Sequence, residues 1–123
     1  MDDILFPIER ASGVAPGRSS GSAYGNLVWA VATSDDKQLE LRGQIAAAFA
    51  KIDRLLAELK TDKRYLLSAN VLLSDLKHKK AFDSAWKEWI GDNPHHWPQR
   101  ACVGAILSPG TLVEIAVVAA RPS

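Results

Sequence analysis

Three side chains near the C-terminus combine types and spacing that can do chemistry: Arg100, Cys102 and Glu114. In an extended chain successive side chains alternate between faces, so Arg100, Cys102 and Gly104 share one face, with Ala101, Val103, Ala105 and Leu107 on the other. In the next stretch Val113, Ile115, Val117 and Ala119 oppose Leu112, Glu114, Ala116 and Val118. Ser108-Pro109-Gly110 has hairpin-turn chemistry. A loop of those residues would pair 107 with 111 and 104 with 114, and so bring Glu114 opposite Gly104 and one diagonal step from Cys102. A guanidinium in an apolar cleft can hold a carboxylate with two parallel hydrogen bonds. A carboxylate beside it can orient a water and move protons, with Gly104 leaving room for a ligand. On spacing alone, the pair reads equally well as a salt bridge across an interface, because two buried charges each need a partner.

The elements that must position these residues follow from the hydrophobic pattern. Ile4–Ile8 reads as a short first strand, with Pro7 placing it at an edge or residue 7 at an unpaired position. Residues 11–25 are rich in Gly, Ser and Pro and read as a break in regular structure. Asn26–Ala32 is a nearly continuous apolar run, as in a strand covered on both faces. Ser34, Asp35 and Asp36 are candidate helix caps. Leu41, Ile45, Phe49, Ile52, Leu55, Leu56 and Leu59 recur at helical spacing, and Thr61-Asp62-Lys63 ends that helix. Residues 64–74 form a strand, with Leu67, Ala69, Val71 and Leu73 on one side and Leu66, Ser68, Asn70 and Leu72 on the other. A second helix fits Lys77–Ile90 with Phe82, Trp86, Trp89 and Ile90 as its apolar stripe, and Gly91 stops it.

The order is β-β-α-β-α-β-β, an α+β two-layer sandwich with two helices on one face of a mixed sheet, and residues 1–123 form a single domain. Two helices cover one face only. The open face, expected to carry Val28, Ala30, Leu72, Ile106, Leu112, Ala116 and Val118, would be an apolar patch of the kind that drives association.

Composition bounds the function. Fifteen Lys and Arg against 14 Asp and Glu give a net charge of +1, which argues against a dedicated nucleic-acid partner. One cysteine excludes an internal disulfide and a Cys-rich zinc site. Adjacent His95 and His96 diverge and lack a third ligand at useful spacing, so no metal is expected. Lys77, His78, Lys79 and Lys80 lack interleaved aromatics and read as solvated surface. No apolar run is long enough for a membrane span, and Met1-Asp2-Asp3 is acidic where a secretion signal is basic; the default address is the cytoplasm.

Trp97-Pro98-Gln99-Arg100-Ala101-Cys102-Val103, followed by Leu112-Val113-Glu114-Ile115, resembles the signature of the Rid family, the reactive intermediate deaminases also called YjgF/RidA. Gly25–Trp29 is similar to that family's second-strand entry, Ala50–Leu56 to its first helix, and Phe82–Trp89 to its second. The resemblance implies a chorismate-mutase-like fold and a homotrimer whose sheets face an apolar centre, with clefts between subunits. It also implies cofactor-free hydrolysis of 2-imino or enamine acids to 2-keto acids and ammonia. In those terms Arg100 clamps the substrate carboxylate, Cys102 lines the pocket and Glu114 positions water. Trp97 abuts the site loop, and Ala32 offers a backbone contact where the family has a Gly. Departures occur at Gly17-Arg18-Ser19 in place of Pro-Tyr-Ser, at Val31-Ala32-Thr33 in place of Ser-Gly-Gln, and at Asp83 in place of an Asn. Arg18, a second cation, suits a larger or dicarboxylate substrate, or else pairs with Asp83 or solvent. Two other classes stay open: a non-catalytic trimer that binds small carboxylic acids, and a ribonuclease or translation inhibitor, both of which names have been given to family members.

Overall fold

The computed structural model describes residues 6–13 and 15–122. Its elements are β1 (Glu9–Ser12), β2 (Ser19–Tyr24), β3 (Leu27–Ala32), α1 (Leu41–Glu58), β4 (Leu66–Leu73), α2 (Lys79–Ile90), β5 (Gln99–Gly104) and β6 (Val113–Ala120). The strands form one mixed sheet in the order β1-β2-β3-β6-β4-β5. All neighbours are antiparallel except β4 and β5, which run parallel with α2 as their crossover. Two helices on one face of this sheet give the expected α+β sandwich.

The helical face holds the core. Ile45, Phe49, Ile52, Leu55 and Leu56 of α1 and Phe82, Trp86 and Ile90 of α2 are buried against Val28, Ala30, Val71, Leu73, Ile115 and Val117 of the sheet. Gly91 ends α2 with φ of 85°. Lys60 ends α1 with φ of 68°, a left-handed position usually given to glycine, while Thr61 N–H donates to the Leu56 carbonyl. No acceptor side chain caps α1; Ser34 and Asp36 instead hold a turn upstream, accepting from the N–H groups of Asp36 and Gln38.

Five expectations are corrected. Among the described residues the first strand lies at 9–12; Ile4 and Leu5 fall outside them, and 6–8 carry no regular structure. The small-residue stretch contains β2. Its Gly21 and Ala23 are inward-facing, and a Cβ at Gly21 would come within 2.9 Å of Leu59 Cδ1, so small residues reflect a helix seated close on the strand. An irregularity between Leu66 and Ser68 turns Leu66 inward and leaves Leu67 exposed, reversing the start of β4. On the open face Val28 and Ala30 are replaced by Leu27, Trp29 and Val31, because β3 is buried through its even positions. The patch itself is real: Leu27, Trp29, Val31, Leu67 and Val103 are all exposed there. Ile106 is fully exposed, in the connection after β5.

The fifth correction decides the site. The turn at 108–110 forms, with Thr111 N–H donating to the Ser108 carbonyl, yet β5 and β6 are not a hairpin. Strand β4 lies between them, pairing Leu72 with Glu114 on one side and with Val103 on the other. Residues 105–112 are long enough to step across one strand, a span of roughly 10 Å.

Candidate functional site

Arg100 and Cys102 point to the helical side of the sheet. Arg100 pairs with inward-facing Ala69, and Cys102 with Val71. The Arg100 side chain, 19% exposed, donates from Nη2 to Asp83 Oδ1 at 2.5 Å, and Asp83 also accepts from Lys79 Nζ at 2.8 Å. Its guanidinium carbon lies 5.5 Å from the Phe82 ring centre and 5.2 Å from that of Trp86, within cation–π range. One helix therefore supplies the aromatic wall and the counter-ion from adjacent turns. Burial alone would raise the Asp83 carboxyl, but the hydrogen bonds from Lys79 and Arg100 outweigh it and hold it below the usual carboxylate range. Burial pushes the Cys102 thiol up, and the Arg100 and Lys79 charges offset this only in part. A protonated thiol is a pocket wall and a poor nucleophile. Trp97 precedes β5, half-exposed, with its indole N–H fixed to the Gly91 carbonyl at 2.9 Å.

Gly104 does not leave ligand space: a Cβ there would lie 3.2 Å from Leu76 Cγ, so Leu76 already covers it. Glu114 is also absent from this half. It faces the open side beside Leu72, and its register places it three residues along β6 from Val117, the position level with Arg100. Two strand spacings and three residues put the two backbones about 14 Å apart, on opposite faces.

Glu114 belongs instead to a cleft of about 390 Å³ at the ends of β3 and β6, lined among others by Arg18, Ala32, Thr33, Asp35, Lys51 and Ser108. Lys51, reaching from α1, is bonded to Asp35, whose carboxyl is held below its ordinary value chiefly by that hydrogen bond. Among the described residues neither the Arg18 nor the Glu114 side chain has a hydrogen-bonding or ion-pair partner. Arg18 and Asp83 therefore do not pair; Asp83 is taken by Arg100 and Lys79.

The cleft's position is fixed by a residue that periodicity did not single out. Gln44, fully buried on α1, donates to the carbonyls of Leu39 and Gly110 (3.1 and 2.8 Å) and accepts from the N–H of Leu112 (2.9 Å). It ties the helix start to the chain two residues before Glu114. A lone Gln among apolar helical positions was the available signal. Asp83 and Thr33 stood out only as departures from the family pattern, and Lys51 carried no signal, since polar residues near helix and strand ends usually meet solvent.

The candidate residues thus fall into two separate groups in the chain: Arg100, Cys102 and Trp97 near α2, and Arg18, Ala32 and Glu114 at the other cleft. The guanidinium group can hold a carboxylate, and the Glu114 carboxylate can hold water. Among the described residues no helix is long and apolar enough to cross a membrane.

Residues 25–121 match the family model described as endoribonuclease L-PSP. The chain is 34% identical over 86 residues to a RutC family protein of Haemophilus ducreyi, covering 69% of this chain and 72% of that one. Among solved structures, it is similar to an uncharacterized protein from Pseudomonas aeruginosa (TM-score 0.83, 32% identity, 94% of this chain and 99% of that one). It is also similar to a member of the YjgF protein family from Neisseria meningitidis (TM-score 0.84, 29% identity, 94% and 96%).

Proposed function

The chain belongs to the YjgF/RutC/Rid family, whose model carries the endoribonuclease L-PSP description, and from that premise we propose that it hydrolyses 2-imino or enamine acids to 2-keto acids and ammonia, without a cofactor, in a cleft shared by two subunits of a homotrimer. The observation that carries this reading is the division of the site. Arg100 and Glu114 lie on opposite faces of one sheet, about 14 Å apart along the backbone, so one small substrate cannot touch both within a chain. A second subunit whose open face seats near the first one's β5 edge would unite them. The exposed Leu27, Trp29 and Val31 favour such docking, because β3 is apolar on both faces while its own chain covers only one.

In this reading Arg100 holds the substrate carboxylate with the N–H groups that Asp83 leaves over, and the ring faces of Phe82 and Trp86 keep the guanidinium in place. Glu114 of the adjoining subunit accepts a proton from water as its oxygen adds to the imine carbon. That proton passes to nitrogen and gives a carbinolamine, with a hydroxyl and an amino group on the same carbon. Glu114 then takes the hydroxyl proton and delivers it to that nitrogen as the carbon–nitrogen bond breaks, so that ammonia leaves, the keto group forms and Glu114 is returned to its carboxylate form. Cys102 packs against the substrate and Ala32 presents backbone to it, while Arg18 and Trp97 border the entrance. The cytoplasm, where amino-acid metabolism produces such imines, is the proposed location.

Ammonia and keto-acid release from 2-iminopropanoate generated in situ tests the reading, with wild type compared against Arg100→Ala. Acceleration over buffer that disappears in the variant supports it. A folded protein with no acceleration, which still binds pyruvate through Arg100, would instead support the second reading. That reading, a carboxylate-binding trimer without turnover, is favoured by one observation: Arg100 already carries a protein carboxylate.

A further inference from the structure

The charge balance around Arg100 carries an inference that rests on the carboxylate-clamp reading and names what the clamp accepts. Lys79, Asp83 and Arg100 form a chain of contacts, with Asp83 accepting from the lysine at 2.8 Å and from the arginine at 2.5 Å. Among the described residues no other acidic group pairs with any of the three. Two cations and one carboxylate leave a single positive charge. Arg100 is held between Asp83 and the rings of Phe82 and Trp86, so it cannot swing away from this built-in anion without losing its aromatic contacts. Any carboxylate it binds must lie beside Asp83.

We propose that Asp83 is a specificity residue of the clamp: by occupying one side of Arg100 it limits the site to ligands with a single carboxylate there, binds them loosely, and rejects acids with a second anionic group next to the first. One incoming carboxylate neutralises the cluster. A second, adjacent one would leave it with a net negative charge, in a partly desolvated place where like charges repel strongly. The asparagine isostere could still accept a hydrogen bond from Arg100, so replacing Asp83 by Asn removes the charge and preserves the shape.

The test is a pair of ligand titrations followed by NMR, with pyruvate as monoanion and oxalate as adjacent dianion, on wild type, Asp83→Asn, Asp83→Glu and Arg100→Ala. In Asp83→Asn pyruvate should bind about three- to tenfold more tightly and oxalate gain by a larger factor. Asp83→Glu, which keeps the charge, should retain the wild-type ratio between the two acids. The Cys102 thiol supplies a readout that needs no ligand: its alkylation profile should move to lower pH in Asp83→Asn, because the nearby carboxylate that opposes thiolate formation is gone. Unchanged affinities and an unmoved thiol in a folded Asp83→Asn variant, with pyruvate binding still lost in Arg100→Ala, would overturn the proposal alone. Pyruvate binding that survives Arg100→Ala, or is absent from wild type, would overturn the clamp reading beneath it.

Discussion

The two half-sites are built by opposite means. Around Arg100 the counter-ions and aromatic walls come from one helix and are already engaged: Lys79 and Arg100 meet at Asp83, and Phe82 and Trp86 face the guanidinium. Around Glu114 the cleft draws on several separate stretches of chain, Lys51 is spent on Asp35, and Glu114 and Arg18 stand without a partner among the described residues. The first half is preorganised for an anion, with its electrostatic cost met inside the chain. The second leaves a carboxylate ready for a water or a partner. A surface that completes the first with the second has a structural reason to be an interface.

The sharpest way to break this contrast is to disable the halves separately. Glu114→Gln should lower kcat on 2-iminopropanoate by about 10² to 10⁴, the usual worth of a proton-transfer group, while pyruvate binding stays near wild type. Arg100→Ala should lose both. If Glu114→Gln instead lost pyruvate binding and kept its kcat, the assignment of roles would be reversed.

Next in size is the tether of the second half. Gln44→Leu leaves the Gly110 carbonyl and the Leu112 N–H, both only partly buried, without their partner. Three hydrogen bonds are lost and two of the partners are left stranded at about 1 to 3 kcal/mol each, so it should cost about 2 to 6 kcal/mol in denaturant unfolding. Its effect on turnover should follow Glu114, leaving pyruvate affinity at Arg100 intact. A loss below 1 kcal/mol would show that the loop is held by other means.

A smaller, pH-dependent effect belongs to the first half. Asp83 has a folded-state pKa below its ordinary value, so its stabilising contribution is present above the unfolded carboxylate value near 4 and is lost as pH falls through the folded value. The stability difference between wild type and Asp83→Asn should therefore stay level from about pH 5 to 8 and shrink only below about pH 4. A difference that changes between pH 6 and 8 would assign the titration to another group. Smallest is Lys60→Gly, which relieves a left-handed backbone and should raise thermal stability by up to about 1 kcal/mol without touching either half.

Much of the fold was legible because periodicity reports faces. The stripes of α1 and α2 were read residue by residue, as was the alternation in β6. What failed shows the limit of that signal. Alternation says that Arg100 and Cys102 share a face and that Glu114 opposes Val113, but it is silent on which face of one strand meets which face of another. The Ser108-Pro109-Gly110 turn suggested direct pairing, and a turn is only a local statement; whether β4 enters between the strands depends on the α2 crossover that makes β5 its parallel neighbour. β2 was missed for a related reason. Its Ser, Gly and Ala residues look like loop, yet small side chains are what the close seating of Leu59 on Gly21 demands. The chemical residues were legible by type and motif, whereas their separation needed the strand order.

The central claim is that catalysis needs Arg100 and Glu114 from different chains, and subunit mixing tests it most directly. Arg100→Ala and Glu114→Gln chains, each inactive alone, would be co-assembled in equal amounts under two affinity tags and assayed for ammonia release from 2-iminopropanoate. In a symmetric ring with one shared cleft per interface, random assembly gives about a quarter of the clefts both native residues, so about a quarter of wild-type activity should return. Mixed assemblies, shown by both tags to contain the two chains, that stay as inactive as their parents would contradict a shared site.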